Sequence, residues 1–287
     1  MLRHGLDRCN SRMSLPARLL AMMMVSTAGC ASGAADTTPA SGQFLKREVT
    51  VDGGVHRYQV FVPARHGLGK TGGTHGQAPV PVILFLHGSG ERGEDGEKQV
   101  HSGLGPHVRA NAADFPALVV FPQSPEGQSW EGQTARVALA TLEASVREFD
   151  GDPRRVYLTG MSRGGYGTYS LALDHPTHFA ALVPVCGGIT SPRREEPLVV
   201  GPLAGEPDPF QAAARRLAHL PIWIFHGALD DVVPPQQSRR MHAALEAAGG
   251  NARYTELPDA NHNSWDAAYS DDAMWAWLFA QHRPSRP

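Results

Sequence analysis

The sequence predicts an α/β fold in which helices cover both faces of a mostly parallel, twisted sheet. Short, nearly continuous apolar runs recur along the chain, which is typical of strands buried on both faces. Longer amphipathic segments separate several of these runs, as the crossover helices of such a sheet require. The composition is ordinary, with 41% hydrophobic and 19% charged residues among 287, and it allows one large core. The stretch Gly187–Pro209 is rich in Pro, Gly and charge, which indicates a loop insertion and no large lid domain.

The first thirty residues are expected to form a removable signal peptide. A basic segment stands before the apolar stretch Leu19–Gly29, which is too short to span a membrane. Four arginines make this segment basic: Arg3, Arg8, Arg12 and Arg18. The stretch ends in Thr27–Cys30, which resembles the lipobox of bacterial lipoproteins, in which Cys30 would carry the lipid. That motif usually has Leu where Thr27 stands, so ordinary cleavage near Ala34 and Ala35 stays open. Either way, we expect an exported protein: a periplasmic or outer-membrane-anchored lipoprotein, or a secreted protein.

A flexible tether over residues 31–43 is expected to precede the folded domain, which covers residues 44–283. The tether is small and polar, without periodicity. Loss of residues 1–30 would leave 22 basic and 27 acidic residues, a net charge of −5. A negative net charge does not favour binding to nucleic acid. Cys186 would then be alone in the domain and could form no internal disulfide. We expect it to be a buried thiol rather than a nucleophile.

The folded domain is expected to begin with a hairpin and to continue with strands that alternate with helices. Lys46–Asp52 and Val55–Val62 flank the turn Gly53-Gly54, which is a hairpin signal. Six further strands are expected at Val80–Leu86, Ala117–Phe121, Arg155–Thr159, Phe179–Val185, Ile222–Phe225 and Arg253–Leu257. Four helices are expected at Ala135–Phe149, Tyr166–Leu173, Gln237–Ala248 and Asp272–Gln281.

The sharpest functional signal is Gly160-Met161-Ser162-Arg163-Gly164, between a predicted strand and a predicted helix. In this context a nucleophilic serine lies on a sharp strand-to-helix turn. The glycines two residues before and after it leave room for the strained backbone. The N-terminus of the following helix favours developing negative charge. Ser162 is therefore predicted to be a nucleophile.

A serine nucleophile needs a base, and the base needs an orienting carboxylate. Asp230 and His262 each follow a later predicted strand, so the chain order is Ser, Asp, His. Because the carboxyl ends of parallel strands meet at one edge of a sheet, we expect these side chains to converge. Asp231 competes with Asp230 for the role of the acid, and Asp259 is a weaker competitor. Two other histidines at strand ends are expected to brace their loops: His87 and His226.

The negative charge of the transition state needs preorganised N–H donors, an oxyanion hole. The loop His87–Gly90 can supply the N–H of Ser89, and Arg163, directly after the nucleophile, can supply the second. Aromatic side chains near the predicted site are candidates for contact with sugar rings or aryl acids, with core packing as the alternative. They are Trp130, Trp265, Tyr166 and Tyr269.

Several motifs occur in an order that resembles one family. They are Leu86–Gly93, Phe121–Gln123 with Trp130, Tyr157–Gly167, His226–Pro234 and His262–Trp265. Over residues 45–282 the chain resembles the secreted phospholipase/carboxylesterase-like branch of the α/β-hydrolase superfamily. This is the "predicted peptidase" group related to polyhydroxybutyrate depolymerases and feruloyl esterases. The resemblance implies the α/β-hydrolase fold, a triad of Ser162, Asp230 and His262, and backbone donors at Ser89 and Arg163. The mechanism needs no metal or cofactor.

Two departures from the family pattern bear on the substrate. Arg163 stands where the family commonly has Met, which leaves its N–H in place but brings a long cation near the substrate. It would either favour an acidic substrate group or pair with a nearby carboxylate. The segment Thr190–Pro209 is longer than the usual connection in the family. The family pattern therefore does not define the acyl or alcohol pocket that this segment borders.

Functions from other classes are disfavoured. Gly88–Gly93 matches Gly-x-Gly-x-x-Gly, but glycines and a proline break the segment after it, and the next strand does not end in an acidic residue. A dinucleotide enzyme is therefore not expected. The 14 histidines show no metal-ligand spacing. A non-catalytic binding lipoprotein would be expected to lack a triad member, and all three are present.

The remaining choice lies between ester and peptide bonds, which the same triad can cleave. Related peptidases usually carry a large domain that gates the site, whereas about fifty residues precede the sheet here. We therefore expect an esterase that acts on acyl or aryl esters of carbohydrate, or on small short-chain esters. No nucleic-acid partner is expected, and membrane contact would come only through a lipid on Cys30.

Overall fold

The computed structural model of the protein describes residues 41–64, 79–191 and 200–283. The predicted signal peptide, Cys30 and all but the last three residues of the predicted tether lie outside the described residues. Residues 192–199 of the predicted insertion also lie outside them.

Within the described residues, eight strands form one sheet. Their bounds are β1 Gln43–Val51, β2 Gly54–Val62, β3 Val80–Leu86, β4 Leu118–Pro122, β5 Gly151–Met161, β6 Ala181–Val185, β7 Ile222–Gly227 and β8 Ala252–Leu257. Their order across the sheet is β1-β2-β4-β3-β5-β6-β7-β8. The hairpin β1–β2 and the pair β2–β4 are antiparallel, and all neighbours from β4 to β8 are parallel. The predicted mostly parallel sheet is confirmed.

Helices cover both faces of this sheet. In the described part of the chain they are α1 Leu104–Ala110, α2 Gly132–Glu148, α3 Arg163–Asp174, α4 Pro209–Leu217, α5 Gln236–Ala247, α6 Trp265–Tyr269 and α7 Asp272–Phe279. Apolar residues of α2, α3, α4 and α5 share a core with Val82, Leu84 and Leu86 of β3. Apolar residues of α1, α6 and α7 share a second core with Ile83 and Phe85. Since successive side chains of a strand point to opposite faces, β3 is buried on both sides, which explains its unbroken apolar sequence.

Three helices, α1, α4 and α6, were not predicted. The helix α4 begins at Pro209, where a loop was expected to end, and its start carries two signals. The carboxylate of Asp208 accepts hydrogen bonds from the N–H groups of Phe210 (3.0 Å) and Gln211 (3.1 Å), and proline is favoured at the first position of a helix. The helices α1 and α6 have only seven and five residues, too few to show a helical period in the sequence.

The parallel strands bring the loops that follow β3, β5, β6, β7 and β8 to one edge of the sheet. Ser162 follows β5, Asp230 follows β7 and His262 follows β8. Side chains separated by 100 residues can therefore meet there. Within the described ranges no helix has the length and apolarity that crossing a membrane requires.

Candidate active site

Ser162 lies at the turn between β5 and α3, and its backbone angles, φ 54° and ψ −118°, are rare for residues other than glycine. The glycines of the motif make this turn possible. A Cβ atom at Gly164 would lie 1.8 Å from the carbonyl oxygen of Leu86, and one at Gly160 would lie 2.3 Å from the carbonyl oxygen of Gly164. Both distances are shorter than real Cβ contacts, so neither position accepts a larger residue without a backbone shift. The strained backbone holds Ser162 at the end of the central strand.

Backbone hydrogen bonds fix the turn on both sides of Ser162. Its N–H donates to the carbonyl of Val185 at the end of β6 (2.9 Å). Its carbonyl accepts from the N–H groups of Gly165 (2.8 Å) and Tyr166 (3.2 Å), and these hydrogen bonds form the first turn of α3. The serine therefore lies at the N-terminus of a twelve-residue helix, where the helix dipole favours negative charge.

His262 bridges Ser162 and Asp230. Its Nε2 lies 2.9 Å from Ser162 Oγ, and its Nδ1 lies 2.7 Å from Asp230 Oδ2. Because the carboxylate accepts from Nδ1–H, Nε2 is left with a lone pair that can accept the serine proton. The ring is half-buried in the loop between β8 and α6. The fold thus brings together the three predicted triad residues in one hydrogen-bonded chain.

The carboxylate of Asp230 is fully buried and saturated with donors. Its Oδ1 accepts from the N–H groups of Val232 (2.9 Å) and Val233 (2.8 Å), in a turn directly after β7. Its Oδ2 lies between His262 and His226, whose Nε2 is 3.1 Å away. Burial opposes ionisation, but these hydrogen bonds outweigh it and hold the pKa of Asp230 below its ordinary value. The group is a carboxylate at neutral pH.

The two competing acids lie elsewhere. Asp231 and Asp259 are both exposed. Asp231 is the next residue after Asp230, but the turn that buries Asp230 leaves its neighbour in solvent. Of these three carboxylates, Asp230 is therefore the one that contacts His262.

The loop after β3 lies beside Ser162, where donors for an oxyanion are expected. A Cβ atom at Gly88 would lie 3.6 Å from Ser162 Cβ. Ser89 begins a short 3-10 helix that follows Gly88, and Arg163 is the first residue of α3. The side chains of these two residues also meet, since Arg163 Nε donates to Ser89 Oγ at 3.1 Å. Both predicted donor residues therefore lie near Ser162.

His87 is buried under this loop, as its expected bracing role requires. Its Nδ1–H donates to the carbonyl of Gly88 (2.6 Å), and its Nε2 accepts from the N–H of Ser124 (2.9 Å). Burial lowers the pKa of His87 to about 4, so the ring is neutral at physiological pH. The C=O and N–H of a trans peptide point in opposite directions. The bond to Gly88 therefore turns the N–H of Ser89 away from the ring.

Three of the four aromatic candidates are not at the rim of the site, and here the prediction was wrong. Trp130 is 1% exposed, and its Nε1–H donates to the carbonyl of His87 (3.0 Å). Tyr269 is fully buried. Tyr166 is 6% exposed, and its hydroxyl donates to the carbonyl of Thr190 (3.2 Å). Position in the sequence near a catalytic residue does not reveal the direction in which a side chain points.

Trp265 remains a candidate for substrate contact. It is half-buried at the start of α6, and its ring stands at 87° to the ring of His262, with centroids 5.6 Å apart. It is the aromatic candidate in direct contact with the predicted base, and it retains an accessible part.

Cys186 lies behind this chain. Its thiol is fully buried, as predicted, and burial raises its pKa to about 12. Possible ligand atoms of Cys186, Asp230 and His262 lie within 4.8 Å of one another, and they form the one group in the described residues that could hold a metal ion. Both nitrogens of His262 already contact Ser162 and Asp230, and a thiol with this pKa stays protonated at neutral pH. The geometry suits proton transfer better than a metal.

Comparisons with known proteins agree with this geometry. Residues 206–283, which include Asp230 and His262, match the prolyl oligopeptidase family. A poly(3-hydroxyoctanoate) depolymerase from Pseudomonas fluorescens is 28% identical over 223 residues, which cover 70% of this chain and 73% of that protein. An uncharacterized secreted protein of Arthroderma benhamiae is 28% identical over 212 residues, 64% of this chain and 21% of that protein.

The crystal structure of a thermostable esterase superposes with a TM-score of 0.66 at 29% identity. The match covers 84% of this chain and 63% of the esterase. The chain thus spans less than two thirds of the esterase and about a fifth of the Arthroderma protein. The strand order, the serine at the turn after β5 and these similarities lead to one conclusion: the chain belongs to the α/β-hydrolase group.

Proposed function

We propose that this protein is a serine hydrolase that cleaves carboxylic esters through an acyl-enzyme intermediate. One observation carries the proposal: an unbroken hydrogen-bonded chain runs from Ser162 Oγ through His262 to the buried carboxylate of Asp230. The same arrangement of nucleophile, base and orienting acid recurs on unrelated folds that perform acyl transfer.

In the first half of the reaction, Ser162 Oγ attacks the ester carbonyl carbon and His262 Nε2 takes the serine proton. The tetrahedral intermediate then collapses, the bond to the alcohol oxygen breaks, and the imidazolium returns the proton to the leaving alcohol. In the second half, His262 Nε2 takes a proton from water as the water oxygen attacks the acyl carbon. The second tetrahedral intermediate then collapses, the bond to Ser162 Oγ breaks, and the imidazolium returns the proton to Oγ as the acid leaves.

Asp230 serves both halves by keeping the proton of neutral His262 on Nδ1 and by stabilising the imidazolium. This role requires an ionised carboxylate next to the ring, and the depressed pKa of Asp230 supports it. The N–H groups of Ser89 and Arg163 are proposed to hold the carbonyl oxygen as it becomes negative, helped by the N-terminus of α3.

Acyl or aryl esters of carbohydrate, or small short-chain esters, are the proposed substrates. The similarity to a depolymerase and to an esterase supports ester bonds. The match of residues 206–283 to the prolyl oligopeptidase family keeps peptide bonds as the second candidate. The accessible part of Trp265 beside His262 is a flat apolar surface that suits a sugar ring or an aryl acid.

The test combines one variant with a substrate panel. Ser162→Ala should lower turnover of p-nitrophenyl acetate by roughly 10³-fold or more and abolish labelling by a serine-reactive phosphonate. The exposed Ser270 offers the matched control, Ser270→Ala, which should change neither. Near-normal turnover by Ser162→Ala would overturn the proposal. A panel of aryl, acetyl-sugar, lipid and peptide substrates then separates the two bond types, and faster cleavage of the peptides would favour the second candidate.

Export is a separate part of the proposal, with Cys30 as the lipid attachment point. It is supported by the basic and apolar segments before Cys30 and by the similarity to a protein named as secreted. Globomycin, or the variant Cys30→Ser, should block processing of the leader in a bacterial host. Unchanged processing would refute lipidation and leave ordinary cleavage near Ala34.

A further inference from the structure

A second histidine lies behind the triad acid, on the side opposite His262. His226 is the fifth of the six residues of β7, and its side chain is completely buried. Its Nε2 lies 3.1 Å from Asp230 Oδ2 and 2.8 Å from the carbonyl oxygen of Val233. Its Nδ1 lies 2.7 Å from the hydroxyl of Ser238, a buried residue of α5. Each ring nitrogen thus has a polar partner.

These partners determine which nitrogen of the His226 ring must carry a hydrogen. A carbonyl and a carboxylate can only accept, so Nε2 must carry the hydrogen. The N–H is aligned on the carbonyl of Val233 and passes close to Asp230 Oδ2. Nδ1 is then an acceptor, and the hydroxyl of Ser238 donates to it. Ser238 therefore supplies a hydrogen-bond donor to Nδ1 in the tautomer whose Nε2–H faces the acid.

The same ring closes the turn that carries the acid. Val233 donates its N–H to Asp230 Oδ1, and its carbonyl accepts from His226 Nε2. Both backbone polar groups of Val233 are therefore hydrogen-bonded to these two side chains. His226 thus touches the turn at two points, once through the carboxylate and once through the backbone. Both contacts restrict the rotation of the carboxylate about its side-chain bonds.

We infer that His226 is a positioning residue of the triad, which with Ser238 holds Asp230 Oδ2 on Nδ1 of His262. This inference rests on the proposed function, because it concerns the acid of the same triad. Without His226, Oδ2 would keep His262 as its one side-chain donor, and the buried carbonyl of Val233 would lose its partner. The carboxylate would be freer to turn, and the imidazole would be held less firmly for the serine.

The test is a double-mutant cycle, because a residue that acts through Asp230 has no effect once Asp230 has lost its function. His226→Leu removes both nitrogens at similar volume and should lower kcat for p-nitrophenyl acetate by roughly tenfold to a hundredfold, with KM within about twofold. His226→Gln can place an amide N–H near the position of Nε2 and should recover most of that loss. In the Asp230→Asn background, His226→Leu should change kcat by less than about twofold.

Two further variants make the result independent of folding defects. Ser238→Ala removes the donor to Nδ1 and should lower kcat in the wild-type background but not beside Asp230→Asn. His219→Gln replaces an exposed histidine that also contacts a backbone carbonyl, that of Pro176, and should leave kcat unchanged. Circular dichroism and the urea midpoint identify any variant that has not folded, in which case the cycle is run with Ser238→Ala.

Two outcomes would overturn the inference. The first is that the His226 and Ser238 variants lower kcat by the same factor with and without Asp230→Asn. The second is that His226→Gln has a kcat as low as that of a folded His226→Leu. Either would mean that His226 only fills the core. Ser162→Ala and Asp230→Asn are measured in the same series. If those two retain activity, the proposed function fails instead, so the two failures are distinguishable.

Discussion

The buried His87 should make the stability of this protein depend on pH in a predictable window. The ring donates to Gly88 and accepts from the N–H of Ser124, an arrangement that only the neutral form can make. Burial lowers its pKa from an ordinary 6.5 to about 4. Between these values the unfolded chain binds a proton that the folded chain does not. Stability is therefore lost as pH falls from 6.5, and the loss stops growing below about pH 4.

The size of the effect follows from the two pKa values. Each pH unit in the window costs about 1.4 kcal/mol, so lowering the pH from about 7 to about 4.5 should remove about 2.5 kcal/mol through His87 alone. The carboxylates also titrate in acid, so a variant must isolate the contribution. His87→Asn can keep a donor to the carbonyl of Gly88 but cannot titrate. It should lose about 2.5 kcal/mol less stability than the wild type between these two pH values.

Urea unfolding followed by tryptophan fluorescence at the two pH values measures this difference. His219→Asn changes an exposed histidine and serves as the control, with the pH dependence of the wild type. If His87→Asn loses as much stability as the wild type, the ring does not stay neutral in the folded protein. The account of how His87 holds the Gly88–Ser89 peptide would then be wrong.

Three further predictions follow from the site. Gly164→Ala places its Cβ 1.8 Å from the carbonyl oxygen of Leu86, so this variant should lose activity and unfold at a lower urea concentration. A folded, active variant would contradict the description of the turn as strained. Asp230→Asn should lower kcat by roughly 10³-fold to 10⁴-fold, whereas Asp231→Asn should lower it by less than about twofold. Equal, small losses in both variants would mean that the acid is a different residue. Peptide mapping after iodoacetamide treatment should find Cys186 unmodified in the folded protein and alkylated in urea, because its thiol is buried with a raised pKa.

Much of the fold could be predicted because the physics of a buried parallel strand is local. A strand covered on both faces is apolar along nearly its whole length, and β3, β4 and the first four residues of β7 show this directly in the sequence. The longer helices were predicted for a similar reason, since α2 and α5 repeat apolar residues at helical spacing. The short helices α1 and α6 were not, because tertiary packing rather than a periodic sequence supports them.

The chemistry was predictable as a set of residue types in order, but not as a set of contacts. The glycines around Ser162 and the order of Asp230 and His262 are visible in the chain. Whether Asp230 or Asp231 faces His262 depends on one turn after β7. The same limit explains the aromatic residues: Trp130 and Trp265 are equally plausible in sequence, yet one is buried under His87 and the other packs on His262.

The sequence by itself determined the sheet, the strained turn at Ser162 and the residue types of the candidate triad, because burial and strained turns impose local constraints on residue choice. Only the tertiary structure decided which carboxylate is buried, which aromatic side chain stays accessible and which histidines support the site. Those features depend on the direction of single side chains and on contacts between segments far apart in the chain, as between His262 and Ser162, and no local pattern encodes them.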